Sequence, residues 1–350
     1  MKINEIYSSY DWDLINQQMQ SFLPGNEYSF LSLTQEIMEG EFRGILDFML
    51  TLGKERIKGE WMMIRQLMVS IVFLAFLSSF LTVIKGSFKN KQIAQIAHYS
   101  NYLMMIILFM DLYENIIGLC EGTLIRIEEF MRIFFPTYFI LVGTSLGIKT
   151  GMLYFQLAGL VIYFIEKILI LMIIPGLNIY MFLIFMNGIW EEERLEGIIS
   201  LLQKIILLSF KVMMAVITGI GFLQALILPV LDGFKKEGIY HLIDTVPGVG
   251  DAAKGAFQLW LSSAAIIKNS VGVAGCILLL LFVLTPLIRI GVVWICLRVA
   301  SAVLSMVGEK KIIGGINQMA KGISLCFQTT GYGILFFLMI IAVSSYSGGG

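Results

Sequence analysis

Repeated apolar stretches of about 20 residues constrain the fold of this chain more than any other feature. A helix needs about 20 apolar residues to cross the hydrocarbon core of a bilayer, because each residue advances it by about 1.5 Å. The 350-residue sequence is 57% hydrophobic and only 14% charged. Soluble domains are about one quarter charged. We therefore predict an all-α, polytopic integral membrane protein that is embedded in the lipid bilayer.

The apolar stretches predict about eight transmembrane helices, or roughly six to nine, together with interfacial helices. The predicted spans are residues 66–84, 99–118, 133–148, 152–173, a short stretch after Pro175 that ends near residue 190, 211–231, 271–288 and 326–346. A charged segment separates the second span from the third. Its ionisable residues are Glu121, Arg126, Glu128, Glu129 and Arg132. This segment predicts an amphipathic link between two spans.

The sequence predicts two parts, a soluble or interfacial helical segment at residues 1–64 and a membrane domain at 65–350. Charged and apolar residues recur at helical spacing over residues 31–63, so one helix face should rest on the bilayer or on a partner. The first residues, MKINEIYSSYDWDLIN, lack the basic-then-apolar pattern of a signal peptide.

Lysine and arginine residues in the short loops predict the orientation in the membrane. Cytoplasmic loops are enriched in these residues, so the clusters at 85–91, at Lys149 and at 289–321 are assigned to the cytoplasm. Lys89 and Lys310 then face the cytoplasm. With eight spans, Lys236 and both chain termini face the other side.

Residues 232–270 predict a central loop or re-entrant stretch rich in proline and glycine. Proline fixes its own φ and glycine reaches φ values that other residues avoid, so the sequence PGVG favours a sharp turn. The candidate functional residues of this stretch are Asp244, Pro247, Gly248, Gly250, Asp251 and Lys254. The apolar segment after the turn is typical of a helix that packs against other helices in or at a membrane.

The turn is followed by the sequences AIIKNSVGVAG, CILLLLFVLTPLIRI and VGEKKIIGGINQMAKGI. Their order resembles that of the stage III sporulation protein AE family of endospore-forming bacteria. The resemblance implies a multi-pass protein of the mother-cell membrane around the forespore. It implies a channel or feeding-tube complex with other stage III sporulation A subunits, which meets stage II sporulation protein Q of the forespore. This complex sustains forespore development and late forespore gene expression.

Enzyme motifs are matched only in part, and we expect no enzyme activity and no cofactor. The sequence GVGD at 248–251 is similar to the signature of intramembrane aspartyl proteases, which need a second carboxylate. Asp111 is the one plausible second acid, so a protease is a remote alternative. A dinucleotide site and a P-loop fail on their flanking residues. With two histidines and zero formal net charge, the chain offers neither a histidine-rich metal site nor a basic footprint for nucleic acid.

Ionisable residues inside a membrane are costly and are therefore candidate functional residues. Asp111 and Glu114 lie three residues apart on one helix face, and Glu166 lies in the fourth span. They could line a polar path. The alternative is that Glu166 pairs with a lysine or arginine of another helix and only strengthens packing.

Gly143, Gly147 and Gly151 form a ladder of small residues at the end of the third span. Such a ladder allows close helix contact within the chain or between copies, so a homo-oligomer is one prediction. The four cysteines have no CxxC spacing and are interpreted as small buried apolar residues.

Two functions remain open. In the first, the chain is a conduit or permease-like component whose path is lined by Asp111, Glu114 and the central loop. In the second, it is a membrane scaffold that binds sister subunits and has no path of its own.

Overall fold

The computed structural model describes residues 12–22, 29–40, 42–87, 91–146, 148–189, 195–244, 250–305 and 310–346. Within these ranges the chain forms nine α-helices and one π-helical turn, and no strand. The helices are α1 (Asp13–Phe22), α2 (Phe30–Glu39), α3 (Phe42–Ser87), α4 (Lys91–Leu146), α5 (Ile148–Ile168), α6 (Ile174–Ile189), α7 (Glu196–Asp244), α8 (Gly250–Leu304) and α9 (Lys310–Tyr346), and the π-helical turn Leu169–Ile173 joins α5 to α6. The predicted all-α fold is confirmed.

The long helices α4 and α9 run side by side in the same direction. Gly315, near the start of α9, lies against the side chain of Met105. Further along α9, Gly333 lies against Leu124. Because both residue numbers rise together along the contact, the two helices are parallel.

Helix α7 also runs parallel to α9. The rings of Phe210 and Tyr332 are stacked with their centroids 4.7 Å apart. Eleven residues further along both helices, Gly221 lies against Val343. Three of the long helices, α4, α7 and α9, therefore share one direction.

Helix α8 runs in the opposite direction and packs on a column of aromatic rings in α4. The rings of Phe130, Phe134 and Tyr138 are stacked at successive distances of 5.2 and 5.4 Å. Phe282 of α8 meets Phe130 edge-on at 5.3 Å, while Gly275 lies against Phe134. The order along α8 is thus the reverse of that along α4.

The segment formed by α5, the π-helical turn and α6 is also antiparallel to α4. Gly159 lies against Phe135, and Glu166, seven residues later, contacts Glu128, seven residues earlier. Within the described residues from Lys91 onwards, the chain therefore passes along the bundle five times in alternating directions. We call its two ends the Lys91 end, where α4 and α9 begin, and the Leu146 end, where α4 stops.

Five helical segments among the described residues are long and apolar enough to cross a membrane, compared with about eight predicted. They are Tyr102–Val142, Gln156–Asn187, Glu196–Phe222, Ile266–Leu304 and Ile313–Ser344. The predicted second and third spans are one continuous helix, because the charged segment between them keeps a buried face with Leu124, Ile127 and Met131 at helical spacing. The amphipathic link predicted there is corrected to part of α4.

Two prolines, Pro175 and Pro286, do not interrupt the helical segments in which they lie. Pro175 follows the π-helical turn, in which the Ile174 N–H donates to the Leu169 carbonyl five residues back. In the π-helical turn the backbone hydrogen bonds span five residues and not four. This change lies next to Pro175, which has no N–H to donate. Pro286 lies inside α8, which continues to Leu304. The predicted fourth and fifth spans are therefore one crossing.

The bundle is longer than a bilayer is thick. Tyr102–Val142 contains 41 residues, or about 60 Å of helix. The hydrocarbon core is about 30 Å thick, and even a tilt of about 40° would accommodate only about 26 residues. Large apolar side chains are exposed near both ends, such as Met104 at the Lys91 end and Leu157 at the Leu146 end. One bilayer does not cover all of this apolar surface.

The N-terminal helices pack on the bundle of the same chain. A capping box at Ser29 starts α2, and Gly40, with φ of 79°, ends it. The ring of Phe30 lies 5.3 Å from that of Trp12 and 6.3 Å from that of Phe134. Part of the face that was expected to rest on the bilayer or a partner, such as Ile45, is buried against the bundle of the same chain, whereas Leu46 stays 57% exposed. Helix α3 runs uninterrupted across the boundary placed after residue 64.

The five crossings change one assignment of the basic clusters. Residue 91 and residue 310 begin parallel helices, so the predicted common side for Lys89 and Lys310 agrees with the fold, although residue 89 itself lies outside the described residues. Residue 149 follows α4 at the Leu146 end. Because α4 is continuous, residue 149 lies at the opposite end of the bundle from residue 91, so the fold favours a different side for Lys149 than the basic clusters predicted.

Candidate functional site

The acids Asp111 and Glu114 lie on the outer surface of α4. Both side chains are exposed. The Asn115 side-chain amide donates to the Asp111 carbonyl over 2.8 Å, so that part of the surface stays helical and polar. A path lined by these two acids would therefore run outside the single chain, along its surface, and not through the interior of its bundle.

The third candidate acid, Glu166, meets a second carboxyl group. The carboxyl groups of Glu128 of α4 and Glu166 of α5 lie close together. Their side chains are only 14% and 12% exposed, so they are held between the two helices. The packing of α5 on α4 therefore brings two acidic side chains together.

Two cations flank this carboxyl pair. Arg132 donates to Glu128 one turn along α4. The Lys167 amine lies 3.5 Å from Glu166 and 5.5 Å from the centre of the Tyr163 ring. The expected partner of Glu166, a cation on another helix, is corrected to the adjacent Lys167 and a carboxyl group of α4. Sequence reasoning placed Glu128 in a link and missed this pair.

A polar cluster is buried between α4 and α9. The Thr330 hydroxyl lies 3.2 Å from Cys120 Sγ and 3.1 Å from the Cys326 carbonyl. The Cys120 thiol donates to the same carbonyl over 3.6 Å. Cys120 and Cys326 are fully buried, as expected for small core residues. The described residues contain no group of histidine, cysteine or acidic side chains suited to a metal ion.

The central stretch is mostly helical. Asp244 is the last residue of α7, and Gly250 is the first residue of α8, which also contains Asp251 and Lys254. Pro247 and Gly248 lie outside the described residues, and so do the side chains of Asp244, Asp251 and Lys254. Of the loop or re-entrant stretch expected over 232–270, residues 232–244 and 250–270 are helical, and residues 245–249 lie outside the described residues.

Asp111, the second acid predicted for an aspartyl protease, lies far from residue 251 along the bundle. Phe134 of α4 faces Gly275 of α8. From that level, Asp251 lies 24 residues towards the Leu146 end, whereas Asp111 lies 23 residues towards the Lys91 end. The two acids therefore sit towards opposite ends of the bundle, and the fold does not form the dyad that this chemistry requires.

The predicted glycine ladder falls at the junction of two helices. Gly143 is in the last turn of α4 and Gly151 in the first turns of α5, whereas Gly147 lies outside the described residues. Close packing is seen instead at other glycines, where an added methyl group would overlap a neighbour. These pairs are Gly275 with Phe134, Gly315 with Met105, Gly322 with Met181 and Gly333 with Leu124. In the sequence, the seven-residue spacing of Gly315 and Gly322 could have indicated this close packing.

A helical bundle with five candidate spans and ionisable residues inside them defines a polytopic membrane protein. The family described as stage III sporulation protein AE matches residues 28–348. The stage III sporulation protein AE of Bacillus subtilis (strain 168) is 21% identical over 289 residues, covering 79% of this chain and 70% of that protein. The chain belongs to the stage III sporulation protein AE family. No solved structure matches it.

Proposed function

We propose that this protein is the large polytopic membrane subunit of a channel complex between mother cell and forespore. Family membership supports a role in sporulation. The observation that carries the proposal further is the length of the bundle, since a helix of about 60 Å, with apolar side chains exposed near both ends of the bundle, exceeds one bilayer and calls for protein partners. Those partners are other stage III sporulation A subunits in the mother-cell membrane around the forespore, with stage II sporulation protein Q beyond them.

Any conduit then runs between chains and not through this chain. The acids Asp111 and Glu114 face outwards, so a path that they line is completed by a neighbouring protein. The bundle interior next to them is filled by aromatic rings such as Phe109 and Tyr113. We place a permease-like or gate-like function at this outer face of α4.

A scaffold without a path is the second candidate, and one observation favours it. Buried hydroxyl groups of the bundle bond to the backbone of their own helix, as do Thr123 to Leu119 over 2.6 Å and Thr329 to Leu325 over 2.8 Å. These hydroxyl groups therefore offer few free hydrogen-bond donors to a solute that passes through the bundle. The two candidates predict different consequences for the same variant.

Neutralising the outer acids tests the proposal. In cells whose own copy is deleted, the double variant Asp111→Asn, Glu114→Gln is expected to reduce heat-resistant spores and late forespore gene expression at least about tenfold, because the partner loses its charge contacts. If the two acids faced lipid instead, the double variant would sporulate normally or better, since a charged side chain in the membrane is costly.

The matched control neutralises Asp47 and Glu55, two exposed acids of α3, and should sporulate normally. Normal sporulation of the Asp111 and Glu114 variant would contradict the proposal. Loss of gene expression with the complex still assembled supports a conduit, whereas loss of the complex supports the scaffold. Chain amounts are compared by immunoblot.

A further inference from the structure

Two exposed helix faces of this chain carry opposite charge at the same spacing. The acidic face of α4 carries Glu114 and, seven residues later, the partly exposed Glu121. The lysine face of α7 carries Lys204 and Lys211, which are also seven residues apart and both exposed. Seven residues are about two helical turns, so each pair lies along one side of its helix.

The two faces also lie at matching heights. Gly333 of α9 contacts Leu124 of α4, and the adjacent Tyr332 contacts Phe210 of α7, so Leu124 and Phe210 are at one level. Counting back along the parallel helices places Glu114 four residues from the level of Lys204, and Glu121 is offset equally from Lys211. Four residues are about 6 Å, within reach of the four-carbon lysine stem.

No ion pair joins the two faces within the described part of one chain. Tyr332 and Gly333 are consecutive residues of a helix and therefore point about 100° apart, so α7 and α4 pack on different sides of α9. Within the described residues, none of the side chains of Glu114, Lys204 and Lys211 has an ion-pair partner.

Neither lipid nor water suits these faces. Next to the acids, Ile107 and Met110 are 69% and 54% exposed. Next to the lysines, Leu201 and Leu208 are each 58% exposed. A charged side chain facing lipid is costly, and an exposed apolar stripe in water is equally unfavourable. A protein surface with opposite charges and apolar neighbours satisfies both requirements.

We propose that the acidic face of α4 binds the lysine face of α7 on a second copy of this chain. Glu114 then pairs with Lys204 of the second copy, and Glu121 pairs with its Lys211. The contact joins two different surfaces, so repeating it gives a ring when the rotation closes. It keeps all copies in one membrane orientation, because α4 and α7 are parallel. The inference rests on the proposed function, for which it names the neighbour at the outer face.

Charge reversal tests the contact. Two differently tagged copies of the full-length chain are coexpressed, and the fraction of the second tag recovered with the first is measured in lipid nanodiscs. Glu114→Lys and Lys204→Glu are each expected to lower this fraction at least about tenfold, because like charges then meet. The double variant is expected to restore it, because opposite charges again face each other. Control reversals at Glu55 and Lys321, exposed on α3 and α9, should have no effect.

A single reversal without effect, or a double variant that stays dissociated, overturns the proposal. So does release of another sporulation subunit by Glu114→Lys while the two tagged copies stay together, which would assign the acidic face to that subunit. Should a single reversal unfold, disulfide crosslinking of a Glu114→Cys copy to a Lys204→Cys copy decides, and no crosslink above that of a Glu55→Cys control overturns the contact. This experiment measures the association of two copies and does not measure sporulation. A failure of the proposed contact can therefore be distinguished from a failure of the proposed function.

Discussion

Gly275→Ala is expected to destabilise the bundle by about 2 kcal/mol, although it adds a single methyl group. That methyl group would overlap the ring of Phe134, which is fully buried and stacked between Phe130 and Tyr138. The ring cannot turn aside without disturbing the aromatic column. Helix association in lipid depends on close packing, so the lost contacts are not offset by a hydrophobic gain.

The stability of the purified chain in detergent measures this effect through its thermal unfolding. Gly118→Ala is the matched control, because Gly118 lies inside α4 and an added methyl group there meets no atom within 4 Å. It should leave stability unchanged or raise it by up to about 1 kcal/mol through helix propensity. Equal melting temperatures for the Gly275 and Gly118 variants would contradict the packing of α8 on the aromatic column.

Phe210→Ala is expected to cost about 3 kcal/mol and to detach α7 from α9. The side chain is fully buried, and its ring stacks on Tyr332 at 4.7 Å. Tyr332 in turn lies 5.9 Å from Phe336 and stacks on it. Removing the first ring leaves a cavity that two neighbouring rings cannot fill.

Protease sensitivity of α7 and thermal unfolding both report this loss. The control is Phe222→Ala, further along the same helix, where the side chain is 65% exposed. It should change stability by no more than about 0.5 kcal/mol. A larger loss of stability in Phe222→Ala than in Phe210→Ala would contradict the packing of the Phe210 side of α7 on α9.

Helix content and membrane location follow from composition and apolar stretch length alone. The continuity of the helices does not, because hydropathy responds to charge whether a charged residue lies in a loop or on the outside of a helix. Glu128 and Glu129 lower the hydropathy between two predicted spans, yet Ile127 and Met131 keep the buried face unbroken. The helical period at these positions was the better signal, and it was outweighed by the charge.

The candidate site was predicted in its residues and not in its arrangement. Asp111 and Glu114 are in a helix with apolar residues on every side, such as exposed Ile107 and buried Phe109, so periodicity cannot tell which face is outward. The contact between Glu128 and Glu166 depends on the pairing of two helices. Tertiary packing decides both, and a single sequence carries no record of it.

The close-packed glycines illustrate the same limit. Gly143, Gly147 and Gly151 have the regular spacing of a packing motif, whereas Gly275 has no such partner in sequence. The residue that makes Gly275 necessary is Phe134, which comes from another helix. The spacing of glycines therefore identifies a close-packed site only where a second glycine recurs in the same helix.

The five-crossing bundle is tested most directly by the sidedness of residue 149. Single cysteines at Lys91, Lys149 and Lys310 are labelled with a membrane-impermeant maleimide, in protoplasts and in inside-out vesicles, in a background carrying Cys276→Ala and Cys296→Ala. Cys120 and Cys326 are retained because they are buried. We expect positions 91 and 310 to label from one side and position 149 from the other. Labelling of all three positions from the same side would contradict a single crossing by α4 and restore two spans within residues 99–148.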